Sequence, residues 1–454
     1  MSLSENLEQI LSPAKVSQNK TILEQHSHDE SYHTPKMPDV VVFPESVEDV
    51  VAVVNYAREA KIPLVPFGAG TSLEGHVVPV RGGISVDMSR MNRVLDIRPD
   101  DLAVHVQAGV TRLKLDAELR RHGLFFPVDP GADATLGGMA STNASGTTTV
   151  RYGAMRDNVR QLEVVLADGS LIRVGSRTAK SSSGYQLAPL FVGAEGTLGV
   201  ITSLWLRVYG RPEAIVAAAA QFPTLDAAVR ASTTMVGAGV GVARVEFVEA
   251  PYLDAVNRFR GTSYSLTPTL FLEVHGSEPG VMAELALAET IANDEGCLAF
   301  SHVREEEARN RLWEARHNAL LAFMAQYPGH RHMSTDVCVP LSELPEAIRH
   351  ARNELDNLSV KGAIIGHVGD GNFHVSIAFR PEDEEESSRV EEFGQRVVTQ
   401  ALSVGGTCTG EHGVGIGKRC YQAQEHGDAL YVMRAIKATL DPFGIMNPGK
   451  LVDP

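Results

Sequence analysis

Three runs of small residues, each beside an apolar strand-like segment, constrain the fold of this chain more than any other feature. They read PFGAGTSLEGH (66–76), GADATLGGMASTNASGTTT (131–149) and SSSGYQLAPLFVGAEGTLGVIT (181–202). The chain holds 41 glycines, and they cluster in such runs. Glycine reaches backbone conformations closed to other residues and admits close neighbours. The first run follows an apolar strand, which raises a dinucleotide-binding fingerprint. Gly68 and Gly70 fit G-x-G, but Leu73 stands where the third glycine belongs. Consecutive amides there, with the hydroxyls of Thr71 and Ser72, still suit an anion-binding nest, and a plain turn fits as well. In the second run, fifteen of nineteen residues are Gly, Ala, Ser or Thr. Flexible linkers share that composition, yet the flanks FFPVDP and RYGAMRDNV are not linker-like. Small side chains suit backbone approach to a large planar ligand, with Thr135, Ser141, Asn143 and Ser145 as polar contacts. The third run, punctuated by Gly193, Gly196 and Gly199, is too apolar for a surface loop. It either packs under a cofactor or forms a buried strand with glycine bends. A Walker A loop is excluded, because Arg419 follows Gly417-Lys418 and His412 occupies the first glycine position.

A second feature is the segment GHVGDGNFH (366–374), followed from Thr409 by TGEHGVGIGKR. Gly366, Gly369 and Gly371 argue against a helix. Asp370-Gly371 is a two-residue hairpin signal between apolar residues. That loop would place His367 opposite His374, on one sheet face, with Cβ atoms roughly 4.5–5.5 Å apart. Two imidazoles so placed could share a divalent ion, or they could be two half-buried polar residues on a hairpin. A third ligand would decide.

With 454 residues the chain has room for two or three domains. Its net charge of -15 argues against nucleic acid and anionic membrane surfaces as partners. An anionic substrate would therefore need a local positive site. No apolar run approaches the eighteen or so residues of a membrane span. MSLSENLEQILSPAK has no basic flank and carries acidic residues, so neither a secretory signal nor a mitochondrial presequence is expected. Cys297, Cys338, Cys408 and Cys420 lack CxxC spacing and read as reduced cytosolic thiols. The expected location is cytoplasmic, with membrane contact only through an acceptor.

Along the chain, residues 1–36 read as a helical, polar lead-in. SVEDVVAVVNYAREAK reads as an amphipathic helix with Ser46 as N-cap and Asp49 at the third position. Short strands follow: IPLVPF, GISVDM, RVLDIRP, LAVHVQAG, EVVLADGSLIRV and GVITSLWLRV. Beyond residue 212, strands such as TLFLEVHG mix with long helices, including MAELALAETIANDE and EEEARNRLWEARHNALLAFMAQ. PEDEEESSRVEEF reads as a solvated helix start.

In this order and spacing, the three small-residue runs resemble the FAD-binding domain of the vanillyl-alcohol-oxidase type. GHVGDGNFH, GTCTGEHGVGIGKR and MNPGK look like the D-2-hydroxyacid dehydrogenase branch. STDVCVP (334–340) with LWEARHNA (312–319) is similar to the cytochrome-linked D-lactate dehydrogenases, and glycolate oxidase flavin subunits are near relatives. The resemblance runs from about residue 38 to the end. It implies an α+β fold: a two-subdomain FAD-binding domain, and a substrate (cap) domain whose antiparallel sheet is covered by helices. The implied bounds are 37–211 for the first domain, 212–404 for the second, and 405–454 for a tail returning to the first.

By the same resemblance, Pro66, Gly68, Ala69, Gly70, Thr71 and Ser72 would hold the FAD pyrophosphate. Asp129, Thr135, Gly138, Ser141, Asn143, Ser145 and Gly146 would line pyrophosphate and flavin. Glu195, Gly196 and Ile201 would contact the adenosine side or ring, and Asn447 would close the site. The flavin should be noncovalent, His76 being the one attachment candidate near the first run. His367, His374 and Glu411 would bind a divalent metal, zinc or manganese. Arg316 would grip the substrate carboxylate and His412 would be the base. His105, His122, His275 and His302 are expected to be structural or exposed, while His332 lies near the STDVCVP strand. D-2-hydroxyglutarate enzymes carry a lysine two positions before the aspartate of that segment. Ser334 stands there, which favours a monocarboxylate such as lactate.

This chemistry is coherent. Oxidising a 2-hydroxy acid removes a hydride from Cα and a proton from a weakly acidic hydroxyl. Two imidazoles and one carboxylate leave open positions on a cation, which can depress an oxygen acid's pKa by several units. A histidine suits the proton transfer, and the hydride goes to flavin N5. Arginine offers bidentate carboxylate geometry. A helix-surface ion pair for Arg316 would need a carboxylate three or four positions away, where Leu312, Trp313, Ala319 and Leu320 stand. The expected reaction is D-lactate to pyruvate, with electrons leaving to a separate quinone, cytochrome or flavoprotein. The alternatives are a glycolate oxidase flavin subunit in a larger complex and a non-catalytic FAD- or metal-binding subunit. A homodimer is compatible with either.

Overall fold

Val40–Val42 is buried at every position, as a strand covered on both faces must be. In the computed structural model, which describes residues 1–453, it belongs to a four-stranded sheet. The order is Val16–Ser17, Val40–Val42, Ile84–Asp87, Leu64–Phe67; the last three are parallel. Parallel strands need a crossover, and helix Val47–Ala60 lies between the second and fourth in sequence. The Ser46 hydroxyl accepts from the Asp49 amide while the Asp49 carboxylate accepts from the Ser46 amide, the expected capping box. Val50, Val53, Val54 and Ala57 face the core at helical spacing.

A five-stranded antiparallel sheet follows, ordered Val94–Arg98, Ala103–Gln107, Val200–Arg207, Val159–Val165, Leu171–Gly175. The strands expected from the sequence fall on these two sheets. One apolar core joins them, from Val42 and Val53 to Val164, Leu204 and Met446. The first 36 residues are more than a polar lead-in: Leu7 and Leu11 are buried in that core, and Val16–Ser17 extends the first sheet.

Packing divides the chain into two units. The first comprises Met1–Ser145, Gly153–Arg211 and the chain from Glu411 onward; the second comprises Gly146–Tyr152 and Pro212–Gly410. The last segment of the first unit thus starts at Glu411 rather than 405. Residues before it stay with the second unit because Thr407 pairs with Cys338 and the Gly410 amide donates to the Asp336 carbonyl.

The second unit is built on an eight-stranded antiparallel sheet. Its order is Ala299–Val303, Ala214–Gln221, Thr269–Gly276, Val242–Val248, Gly362–His367, Asn372–Phe379, Arg331–Ser334, with Val337–Cys338 also paired to Asn372–Phe379. Asn372–Phe379 is buried throughout, so both faces are covered. On one face, Tyr252, Trp313 and Phe323 from helices Ala250–Arg260, Glu306–His317 and Ala319–Ala325 pack on Ala217, Phe271 and Ile365. Helices Leu225–Gly237, Glu278–Asp294, Leu344–Asn357 and Glu384–Ser403 pack with one another and on the sheet. The single helix expected over 305–326 is two, broken at Asn318, whose side chain donates to the Glu314 carbonyl and accepts from Arg260. Helix Glu384–Ser403 starts in the acidic run, capped by Asp383.

The histidine hairpin has a longer loop than its sequence suggests. Gly366 pairs with Phe373 and His367 with Asn372, so residues 368–371 form a four-residue loop. Gly371 sets this register: at φ +82, its missing Cβ would lie 2.1 Å from the Val339 carbonyl oxygen. A two-residue change of register keeps every side chain on its face, where a one-residue change would reverse them. His367 and His374 are therefore diagonal rather than opposed, and still on one face.

Candidate functional site

In the first unit, the first two small-residue runs form a cradle of main chain and short side chains. A Cβ on Gly68 would lie 2.3 Å from Thr135 Oγ1, so only glycine lets strand Leu64–Phe67 end against helix Leu136–Thr142. The Thr135 hydroxyl caps that helix by accepting from the Gly138 amide. Gly70 and Asn143 take left-handed conformations, at φ +69 and +50. Gly68, Gly70, Thr71, Ser72, Gly138, Ser141, Asn143 and Ser145 are half-buried and Ala69 is exposed, a surface of amides and hydroxyls. Such a surface fits a pyrophosphate and a planar ring system.

The third run braces this cradle. The amides of Gly193 and Glu195 donate to the carbonyls of Ala140 and Ser141, and a Cβ on Gly196 would press on Pro66 at 3.0 Å. Glu195 is buried, and its carboxylate accepts from the amides of Val414 and Gly415 and lies 3.3 Å from His76 Nε2. Burial works to raise the Glu195 carboxyl, but His76 and the two amides hold it below the usual carboxylate range. Asn447 donates to the carbonyls of His76 and Glu195. Glu195, His76 and Asn447 thus tie the first run, the third run and the C-terminal segment together. Ile201 is buried in its strand, and Asp129 is half-buried. Gly146 is buried and its amide donates to Thr149.

Glu411 and His412 stand at the head of the segment so anchored. Ser145 donates to Glu411 Oε2 at 2.7 Å, linking a cradle hydroxyl to that carboxylate. His412 Nε2 lies 4.0 Å from Glu411 Oε1, beyond hydrogen-bond range. The glycines that follow are obligatory: Gly413 has φ +86, and its Cβ would meet His76 and Glu195.

In the second unit the pairing register lines Glu273, Arg244, Glu246, His367, His374 and Ser376 along one sheet face, beside the Tyr252–Trp313 cluster. Glu246 is fully buried. Its Oε1 accepts from His367 Nδ1 at 2.6 Å and its Oε2 from Arg316 Nε at 2.7 Å. Burial pushes this carboxyl up, but the His367 imidazole and the Arg316 guanidinium outweigh burial and hold it low. Arg316 thus has its carboxylate partner on a strand 70 residues upstream, and its Nη1–Nη2 edge remains as the other hydrogen-bonding face. His374 Nδ1 lies 3.2 Å from the Thr335 carbonyl and 3.6 Å from Asp336 Oδ1. Asp336, also fully buried, accepts from Asn372 and from Thr409. The two imidazole rings are 5.3 Å apart and nearly perpendicular. An imidazole that donates through Nδ1 carries its lone pair on Nε2, the form that ligates metals, and a carboxylate behind each ring is the usual support. The donor set fits a divalent cation.

Sequence reasoning missed the groups behind these ligands. Glu246 sits in an apolar strand where nothing local marks it, and Asp336 belongs to the STDVCVP segment but was given no role there. It also missed a polar network at the end of the row. Glu273 accepts from His275 Nε2 and from Trp313 Nε1, both at 2.8 Å, and Tyr152 meets His275 Nδ1 at 2.8 Å. His332 lies on the same face, 3.2 Å from Ser376; burial and then His374 push its pKa down to about 4. Ser334 donates to the Thr335 carbonyl.

Two family profiles match: the FAD binding domain over residues 38–175 and the FAD linked oxidases' C-terminal domain over residues 211–451. A probable mitochondrial D-lactate dehydrogenase of Danio rerio is 48% identical, covering 96% of this chain and 89% of its own. A mitochondrial D-lactate dehydrogenase [cytochrome] of Arabidopsis thaliana is 45% identical, covering 97% and 80%. The glycolate oxidase subunit GlcD of Bacillus subtilis is 32% identical, covering 94% and 91%. Among solved structures, p-cresol methylhydroxylase with substrate bound superposes with a TM-score of 0.82 at 18% identity, covering 98% of this chain and 95% of that one. That likeness concerns the fold.

Proposed function

Since the chain belongs to the FAD-linked oxidases, we propose that it oxidises a D-2-hydroxy acid, D-lactate first, to the 2-oxo acid and passes the electrons to a separate acceptor. The observation that carries this reading is Glu246, whose two oxygens hold a histidine and an arginine on one sheet face. Arg316 is suited to the substrate carboxylate, since its charge is permanent and its free edge is planar. His367, His374 and Glu411 would hold a zinc or manganese ion, and the small-residue cradle would hold FAD. When bound, FAD supplies a two-electron acceptor and the cation supplies Lewis acidity toward the substrate hydroxyl. His412, next to Glu411 in sequence, takes the hydroxyl proton, a task for which an imidazole's ordinary range is suited.

Ser334 offers no positive charge to a second carboxylate, which supports a monocarboxylate over a dicarboxylate. Two relatives named for D-lactate place that acid ahead of glycolate, and the glycolate oxidase relative makes glycolate the second candidate. The acceptor is a quinone, a cytochrome or another flavoprotein; the word cytochrome in one relative's name favours the second. Among the described residues no helix is long and apolar enough to cross a membrane. The test is anaerobic mixing of the purified flavoprotein with D-lactate, L-lactate, glycolate and D-2-hydroxyglutarate. D-lactate should bleach the flavin band fastest. No bleaching with any 2-hydroxy acid would overturn the reading in favour of a non-catalytic FAD- or metal-binding subunit.

A further inference from the structure

The hairpin and helix Glu306–His317 carry the side chains proposed to hold a cation and the substrate. The structure adds a group that touches neither. Glu246 lies on strand Val242–Val248, opposite the hairpin strand and beneath helix Glu306–His317. It is fully buried, and its two carboxylate oxygens are divided between two partners: Oε1 takes His367 Nδ1–H and Oε2 takes Arg316 Nε–H. We infer that Glu246 is a positioning residue that fixes the His367 tautomer and the Arg316 orientation together, so that the cation and the substrate carboxylate are held by one rigid unit. This rests on the function proposed above.

A carboxylate presents acceptors at both oxygens, and both partners here are donors. An imidazole obliged to donate through Nδ1 has Nε2 available as an acceptor toward a cation. A guanidinium anchored through Nε cannot swing, and it keeps the Nη1–Nη2 edge in one direction. No other side-chain type serves both partners. Glutamine has the same shape but one acceptor and one donor. Its oxygen can satisfy His367 or Arg316, and its NH2 then faces the other as donor against donor. If the NH2 faces His367, the ring must accept at Nδ1 and carry its proton on Nε2, where it blocks a cation. If the NH2 faces Arg316, the guanidinium loses its anchor. Aspartate keeps the charge but is one methylene shorter, so it cannot span both partners from the same backbone position.

The experiment uses the full-length flavoprotein carrying Glu246→Gln. Zinc and manganese affinities are measured by competition with a coloured chelator, and D-lactate KM and kcat by steady-state turnover. FAD content and thermal midpoint are recorded alongside. We expect FAD content to be unchanged. We also expect the metal affinity to fall about ten- to a hundredfold, the scale for losing a group behind a metal ligand, or the D-lactate KM to rise about tenfold as the anchored guanidinium is freed. Metal affinity and KM both within twofold of the wild type, with the fold intact, would overturn the inference. Should Glu246→Gln fail to fold, Glu246→Asp, which keeps the buried charge, is read by the same two quantities and limits. His367→Ala separates the two claims: if it leaves metal affinity unchanged, the metal reading itself fails. If it abolishes metal binding while Glu246→Gln changes nothing, only the positioning role fails.

Discussion

On the function proposed above, the two units would hold a small molecule by different means. The first uses main chain: glycines at 68 and 70, a capped helix start at Thr135 and a left-handed Asn143, drawn from two short runs of small residues. The second uses side chains: Glu246, Arg316, His367 and His374 come from four separate elements and Asp336 from the segment between two strands, and they meet only because a particular strand order brings them together. A backbone site tolerates change in neighbouring side chains but fails when a Cβ is added. A side-chain site depends on partners from distant parts of the chain and fails when one buried charge loses its partners.

That contrast gives a graded set of expectations. The largest effect is expected at Gly68, where a side chain has no room beside Thr135. Gly68→Val should lose FAD by about a thousandfold or more in affinity, roughly 4 kcal/mol, read as the ratio of flavin to protein absorbance. Retention of FAD would mean that the cradle is not where the contrast puts it. Next comes Glu273, in the side-chain network. Burial raises its carboxyl, but Arg244, His275 and Trp313 together bring it down to about 2 from 4.5. Its folded value is depressed, so the stabilisation is fully present above about 4.5 and is lost as the pH falls toward about 2. Glu273→Gln should remove stabilisation on the order of 3 kcal/mol at neutral pH. The difference from wild type in urea midpoint should shrink as the pH is lowered through that window. An equal difference at pH 7 and pH 3 would show that the network is not electrostatic.

Arg316→Lys tests the clamp. Loss of a planar, anchored partner for the substrate should raise the D-lactate KM by about tenfold to a hundredfold, the scale of about 1.5–3 kcal/mol for a hydrogen bond to a charged group. FAD content should not move. An unchanged KM would take Arg316 out of the substrate site. The smallest effect belongs to the most local feature: Ser46→Ala removes one side of a capping box and should lower stability by about 1 kcal/mol without touching flavin or metal.

What was legible in the sequence follows the same division. The capping box at Ser46 and Asp49, the strands of the first unit and the glycine cradle were readable because each is written in adjacent residues. The common face of His367 and His374 was readable as well, although the loop between them was not, since Gly371 answers to Val339, a residue just past strand Val337–Cys338 and distant in sequence. The break at Asn318 was hidden because its side chain is drawn to Glu314 and Arg260 at once. Arg316 showed no partner within its helix, and the sequence could not reveal that Glu246, 70 residues away, serves it. A buried carboxylate inside an apolar strand, as Glu246 is, leaves no periodic trace; only the strand order makes it a neighbour of His367.

The most direct test of the division is His367→Ala in the full-length protein, assayed for bound FAD, bound metal and anaerobic flavin reduction by D-lactate. Full FAD occupancy with metal and reduction both lost is the expected result. Loss of FAD together with the metal, or full reduction with metal still bound, would contradict it.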